Sequence, residues 1–245
     1  SSRLDTFPKL LLENVRVRGD QPANQEKDFG IWLTWTWSEV AAEIRALAGG
    51  LKSLGLERND TVCICGDNRP HLYWAVTAIQ SVGAIPVPVY QDSVAEEMQY
   101  IYEHAEATMA IVENQEQVDK LLEIKDKLPK LTQIIFKDPR GMLHYNQKFL
   151  SKFSDVQATG RQLEQDNPSF FLDSISEGGG TDTCIMLYTS GTTGRPKGVV
   201  LSFNNMIISA LNGVKREGLR ATESTLAYLP MAWIGDNIFS FAQSY

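Results

Sequence analysis

Hydrophobic positions in the first half of the chain switch repeatedly between a helical spacing and short unbroken apolar runs. Leu4, Phe7, Leu10, Leu11 and Val15 predict a helix over residues 4 to 17, followed by a Gly-Asp-Gln-Pro turn and a strand from Ile31 to Thr36. The strongest stripe runs Trp37, Val40, Ala41, Ile44, Leu47, Ala48, Leu51, Leu54; Thr36 with Glu39 spells a capping box at its start, and Gly55 a stop at its end. Thr61–Cys65 is a short apolar strand, Asn68 is placed to cap a helix from Pro70 to Val82, and Ile85–Val89 carries two prolines that suit a sheet edge. Ser93 with Glu96 opens a helix to Ala105, Thr108 to Val112 is strand, Asn114 to Leu128 helix and Leu131 to Phe136 strand. Strand and helix in strict alternation predict a mainly parallel sheet covered by helices, an α/β fold joined by right-handed crossovers.

The pattern loosens from Lys137 to Glu177, where helices are expected only near Asn146 to Phe153 and Val156 to Gln165. Glu177-Gly-Gly-Gly-Thr181 suggests a hinge, dividing the chain into a first sheet unit (1–176), a Gly-rich link (177–182) and a second unit (183–245). After the link come the apolar runs 184–188 and 199–201, a helical stripe through Phe203, Met206, Ile207, Ala210, Leu211 and Val214, and a strand from Ser224 to Leu229.

Composition changes this picture little: 43% hydrophobic and 22% charged residues over 245 positions suit a globular protein. The formal net charge of -7 argues against a general nucleic-acid binder, so no nucleic-acid partner is expected. Three cysteines with no C-x-x-C pair give neither a disulfide framework nor a zinc site and point to a reducing, cytoplasmic setting. No run of 18 apolar residues and no charged-then-apolar leader is present, so neither a spanning helix nor a signal peptide is expected; peripheral contact with a membrane stays open. His71, His104 and His144 sit in no metal-ligand spacing and are taken as structural or surface residues, and no protein metal site is assigned.

Candidate chemistry concentrates between the runs 184–188 and 199–201. Tyr188 to Gly198 reads Y-T-S-G-T-T-G-R-P-K-G. Gly191 and Gly194 let backbone amides turn toward an anion, the hydroxyls of Thr189, Ser190, Thr192 and Thr193 add short donors, and Lys197 adds a mobile positive charge. The Walker spacing fails at Pro196, and the loop joins strand to strand rather than strand to helix. Ten residues in this order are far more specific than an ordinary Ser/Thr/Gly turn. They resemble the phosphate-binding signature of the AMP-forming adenylation enzymes, a family that includes acyl-CoA synthetases, luciferases and peptide-synthetase adenylation domains.

A second segment, Ala227-Tyr-Leu-Pro-Met-Ala-Trp-Ile-Gly-Asp236, resembles the stretch that lines the adenylate and carboxylate pocket of long-chain acyl-CoA ligases, with Trp233 where many relatives carry His. The resemblance implies binding of the ATP β- and γ-phosphates by Thr189, Ser190, Gly191, Thr192, Thr193, Gly194 and Lys197, with Lys197 and Thr193 acting in the chemistry. It implies acyl-substrate contacts from Tyr228, Pro230, Met231, Trp233 and Gly235; Asp236 beside Gly235 is read as a turn residue. The implied activity is that of a long-chain fatty acid-CoA ligase: ATP and a fatty acid give acyl-AMP and pyrophosphate, and the acyl group passes to coenzyme A. Magnesium assists, although no tight site for it is expected in these 245 residues. The later motifs of the family are not found, so the chain is expected to be the N-terminal portion of the large AMP-binding domain, without the small C-terminal lid and inactive by itself. Two alternatives stay open: a fatty acyl-AMP ligase that delivers to a carrier protein, and a noncatalytic nucleotide-binding module. Acyl chain length and oligomeric state are not read from the sequence.

Overall fold

The computed structural model describes residues 4–189 and 195–245. In chain order, helix α1 (Phe7–Arg18) leads to a hairpin of β1 (Pro22–Asp28) and β2 (Ile31–Thr36), then helix α2 (Trp37–Ser53). Next come β3 (Thr61–Cys65), α3 (Pro70–Val82), β4 (Ile85–Val89), α4 (Ala95–His104), β5 (Met109–Val112), α5 (Gln115–Ile124), β6 (Gln133–Phe136) and β7 (Leu150–Lys152). Helices α6 (Phe153–Asp166) and α7 (Phe170–Glu177) precede the hairpin of β8 (Thr183–Thr189) and β9 (Lys197–Ser202), and α8 (Phe203–Glu217) follows it. Beyond an extended segment, α9 (Ile234–Asp236) runs into a π-helical turn, Asn237–Ala242.

Strands β4-β3-β5-β6-β7 form one parallel sheet in that order. Its strands are apolar at nearly every position because both faces are covered. Val62, Ile64, Met109, Ile111 and Ile135 pack toward α1, α2, α3 and α6, whereas Cys63, Cys65, Ala110, Val112, Ile134 and Phe136 pack toward α4 and α5. Alternate side chains of one strand therefore serve two cores. β4 lies at the edge of the five, where Pro86 and Pro88 break no ladder on a second side.

Helices α2 and α6 approach so closely that only glycine fits at their crossing. A Cβ on Gly160 would collide with the Ala46 carbonyl, and one on Gly50 with Val156. The capping box at the start of α2 is formed: Glu39 N–H donates to Thr36 Oγ1 (3.2 Å) and Thr36 N–H to Glu39 Oε2 (2.8 Å).

Several sequence expectations need correction. Residues 22–28 are a strand, β1, because they pair antiparallel with β2 despite being polar from Asn24 to Asp28. Residues 150–152 of the expected helix 146–153 instead extend the parallel sheet beside β6, and α7 had no sequence assignment. Asn68 and Ser93 cap no helix: Arg69 and Val94 occupy the N-cap positions of α3 and α4, neither with a side-chain cap bond. Residues 224–229 form no strand; most are exposed, with no neighbouring strand to complete their backbone bonds.

The Gly-rich link has its backbone groups engaged. Lys9 Nζ donates to the Gly178 carbonyl (2.6 Å), Gly180 N–H to Asp5 Oδ2 (3.2 Å) and Asn204 N–H to the Gly180 carbonyl (2.8 Å). At the other end of the chain Tyr245 packs its ring against Phe7, Trp37 and Phe241 and shares a hydrogen bond with Thr77 Oγ1 (2.7 Å). Residues 236–245 are thereby held on the α1–α2–α3 face.

Candidate active site

The β8–β9 ladder runs from Thr183 opposite Ser202 to Thr189 opposite Lys197, so the two strands form an antiparallel hairpin. Strand joins strand, as the sequence predicts. β8 alternates between the two cores: Ile185 and Leu187 enter one, Met186 and Tyr188 the other, so both faces of the strand are covered. Thr189 and Lys197 are exposed as a facing pair where the hairpin opens. Ser190, Gly191, Thr192, Thr193 and Gly194 lie outside the described residues.

The base of this hairpin is gripped by α4. His104 Nδ1 and the Tyr188 hydroxyl are 2.7 Å apart, and the Tyr100 hydroxyl donates to the Pro196 carbonyl (3.0 Å). Tyr100 also stacks on His104 and lies 5.7 Å from the Arg195 guanidinium, within cation–π range. Burial and the proximity of Cys63 and Tyr100 push the Tyr188 phenol upward, so it stays neutral and available as a hydrogen-bond donor. Both strand ends that carry the loop are thus tied to one rigid helix, through residues with no signature in the sequence pattern.

The second segment is anchored elsewhere, at the carboxyl end of the parallel sheet. Asn68, in the turn after β3, donates from Nδ2 to the Leu229 carbonyl (2.7 Å), and the Asn237 amide donates to the carbonyls of Met231 (2.8 Å) and Trp233 (2.7 Å). Trp233 reaches Tyr90, the first residue beyond β4. Tyr228, Pro230 and Trp233 are exposed, Gly235 is half-buried and Met231 is buried in the core facing α1 to α3. No hydrogen bond among the described residues joins the segment to the β8–β9 hairpin. A crevice outside the carboxyl ends of parallel strands is where open α/β sheets receive ligands.

Asp236 is not the turn residue expected from its glycine neighbour. Its side chain is fully buried, and both carboxylate oxygens accept from the Tyr73 hydroxyl (3.0 and 2.9 Å). Burial pushes its carboxyl above the ordinary range, opposed by hydrogen bonds from Ser240 and Tyr73. Glu113, after β5, is bonded to Asp67 N–H (2.7 Å) and to Arg69 (3.2 Å), and Arg69 also pairs with Glu26 of β1 (2.7 Å). A cavity of ≈ 200 Å³ lined by Thr6, Arg58, Gln80, Ser174 and Asp182 opens at Thr183, the opposite end of β8 from Thr189. Its distance along the strand separates it from the loop end of the β8–β9 hairpin.

The histidines behave as structural or surface groups: His71 lies among aromatic rings, His104 serves the hairpin, and His144 is exposed. No group of three or more His, Cys, Asp or Glu residues placed to hold a metal occurs among the described residues, and no described helix is long and apolar enough to cross a membrane.

Residues 11–242 match the family described as "AMP-binding enzyme". This chain belongs to that family. It is 33% identical over 239 residues to the long-chain-fatty-acid--CoA ligase ACSBG2 of Xenopus laevis, an alignment that takes in 94% of this chain and 31% of that protein. With the long-chain-fatty-acid--CoA ligase FadD15 of Mycobacterium bovis the identity is 29% over 242 residues, 97% of this chain and 38% of the relative. The crystal structure of the anthranilate CoA ligase AuaEII superposes with a TM-score of 0.80 at 23% identity, covering 98% of this chain and 43% of that one. The fold of this family member is therefore the N-terminal part of the acyl-adenylate-forming architecture, as expected from the sequence. The chain spans about a third of the length of the curated relatives it matches.

Proposed function

We propose that this family member contributes the phosphate-binding and carboxylate-facing parts of an ATP-dependent ligase that converts a long-chain fatty acid to acyl-AMP and pyrophosphate and then to its coenzyme A thioester. The observation that carries the reading is the exposed pair Thr189 and Lys197, set opposite each other on a hairpin clamped by α4, in a chain whose relatives are named as long-chain-fatty-acid--CoA ligases. In this reading Thr189, Ser190, Gly191, Thr192, Thr193, Gly194 and Lys197 hold the β- and γ-phosphates of ATP. Attack of the fatty-acid carboxylate on the α-phosphorus expels pyrophosphate, and the Lys197 charge stabilises the negative charge that gathers on the leaving group.

Tyr228, Pro230, Met231, Trp233 and Gly235 would border the acyl carboxylate. Exposed Trp233 supplies a flat apolar wall and buried Met231 fixes its backbone. Magnesium would arrive on the ATP phosphates, in keeping with its preference for phosphate and water oxygens. The division into a first sheet unit (1–176), a Gly-rich link (177–182) and a second unit (183–245) belongs to the same reading: the link would set the phosphate hairpin against the first sheet. Cytoplasmic location with peripheral access to a membrane suits a fatty-acid substrate.

The test is ATP–pyrophosphate exchange by the complete protein that carries this sequence, with fatty acids of graded length, followed by transfer to coenzyme A or to an acyl carrier protein. Exchange that depends on a long-chain fatty acid, with a thioester formed on coenzyme A, is expected. Exchange with no carboxylate in the panel would refute the ligase reading, and transfer to the carrier alone would replace the acceptor.

A further inference from the structure

The segment Leu229–Trp233 lacks regular secondary structure, yet three of its carbonyls are taken by the side-chain amides of half-buried Asn68 and buried Asn237. Asn68 binds the Leu229 carbonyl, and Asn237, only 4% exposed, binds those of Met231 and Trp233. Asn68 Nδ2 also lies 3.3 Å from Asp236 Oδ1, and the Tyr73 hydroxyl bonds the same carboxylate. The polar groups point inward, while Tyr228, Pro230 and Trp233 face out.

Asp236 makes no ion pair among the described residues; its described partners are the neutral donors Tyr73, Asn68 and Ser240. Burying a carboxylate without a cation is costly, and an apolar residue of similar size would spare that cost. What the acid supplies is acceptor capacity: two oxygens that hold a phenol and an amide at once. Asn68, oriented by Asp236, then presents its second N–H to Leu229. Asn68 and Tyr73 belong to the first sheet unit, some 160 residues away in sequence, so the arrangement sets the segment's position relative to the parallel sheet.

We propose that Asn68, Tyr73, Asp236 and Asn237 form a positioning network that fixes the backbone of Leu229–Trp233 and thereby governs how the acyl carboxylate is received. The second half of this statement rests on the assignment of that segment to the carboxylate site; the first half does not. None of the four touches substrate in this scheme, and their effect passes through the backbone they hold.

The test uses the complete protein with Tyr73→Phe, which keeps the ring stacked on Phe241, and with Asn68→Ala. Amide hydrogen exchange is followed in peptides covering 229–235, where Trp233 N–H bonds the Pro230 carbonyl, and in 61–65 as an internal reference. Exchange in 229–235 is expected to accelerate about tenfold in either variant, the scale of one lost hydrogen bond, with 61–65 unchanged. In the same variants KM for the fatty acid is expected to rise about tenfold while KM for ATP holds. Unchanged exchange in 229–235 would overturn the network. Accelerated exchange with both KM values unmoved would overturn its role in carboxylate reception, and KM values rising together would make it a general structural support. If the wild-type protein shows no exchange of pyrophosphate with any carboxylate, the ligase reading fails while the hydrogen-exchange result still decides the network.

Discussion

His71 gives a quantitative prediction about how this fold responds to acid. Its imidazole lies 4.6 Å from the Trp74 ring and 6.0 Å from each of Trp35 and Phe153, and it takes part in no hydrogen bond among the described residues. Burial, reinforced by the positive charges of Lys137 and Arg69, lowers its pKa from 6.5 to about 3. Between those two values the unfolded chain binds a proton that the folded chain refuses. Stability from this group is therefore complete above pH 6.5 and is lost as pH falls toward 3. Integrating the linkage from pH 7 to pH 4.5 gives a loss of about 2.5 kcal/mol. His71→Phe replaces the ring by a nontitrating one of similar shape and leaves no polar atom behind. Urea denaturation of both proteins at both pH values, followed by tryptophan fluorescence, isolates the term, because every other titrating group is common to the pair. The wild type should lose about 2.5 kcal/mol more than the variant on acidification. Equal losses in the two proteins would show that His71 is protonated in the folded state or reached by water, and the reasoning would fail.

Two further predictions follow from the site and the core. In the complete protein, if it carries the proposed ligase activity, Lys197→Ala is expected to weaken ATP use by about 1.5–3 kcal/mol, the range for a hydrogen bond to a charged group, and unchanged kinetics with ATP would remove Lys197 from the proposed phosphate site. Gly160→Ala forces a methyl group into the α2–α6 crossing and is expected to cost about 1–3 kcal/mol in urea denaturation. Gly179→Ala, where an added Cβ meets nothing within 4 Å, is the matched control; comparable losses at both positions would contradict the packing argument.

The parallel sheet was legible in the sequence because its information is local and periodic. Val62 to Cys65 is apolar at every position, and the Thr36–Glu39 box marks the start of α2 within four residues. The β8–β9 hairpin was legible for the same reason, as two apolar runs flanking a stretch of glycines and hydroxyls. β1 was missed because its polar residues carry no alternation, and its existence depends on the partner β2. Ser224–Leu229 has strand-like composition but no neighbour to pair with, so its residues join no ladder and most stay exposed.

The network around Asp236 marks the division most sharply. By itself the sequence determined an α/β fold, two apolar strands joined strand to strand and membership of a family; it also pointed to the segment that follows them. Only the tertiary structure decided that Asn68 serves Leu229 and Asp236 rather than the end of α3, that Tyr100 and His104 hold the hairpin, and that Asp236 is buried rather than turned to solvent. A helix or strand is specified by neighbours a few residues away. A hydrogen bond across some 160 residues exists only after the chain has folded both partners into reach, and no spacing along the sequence encodes it.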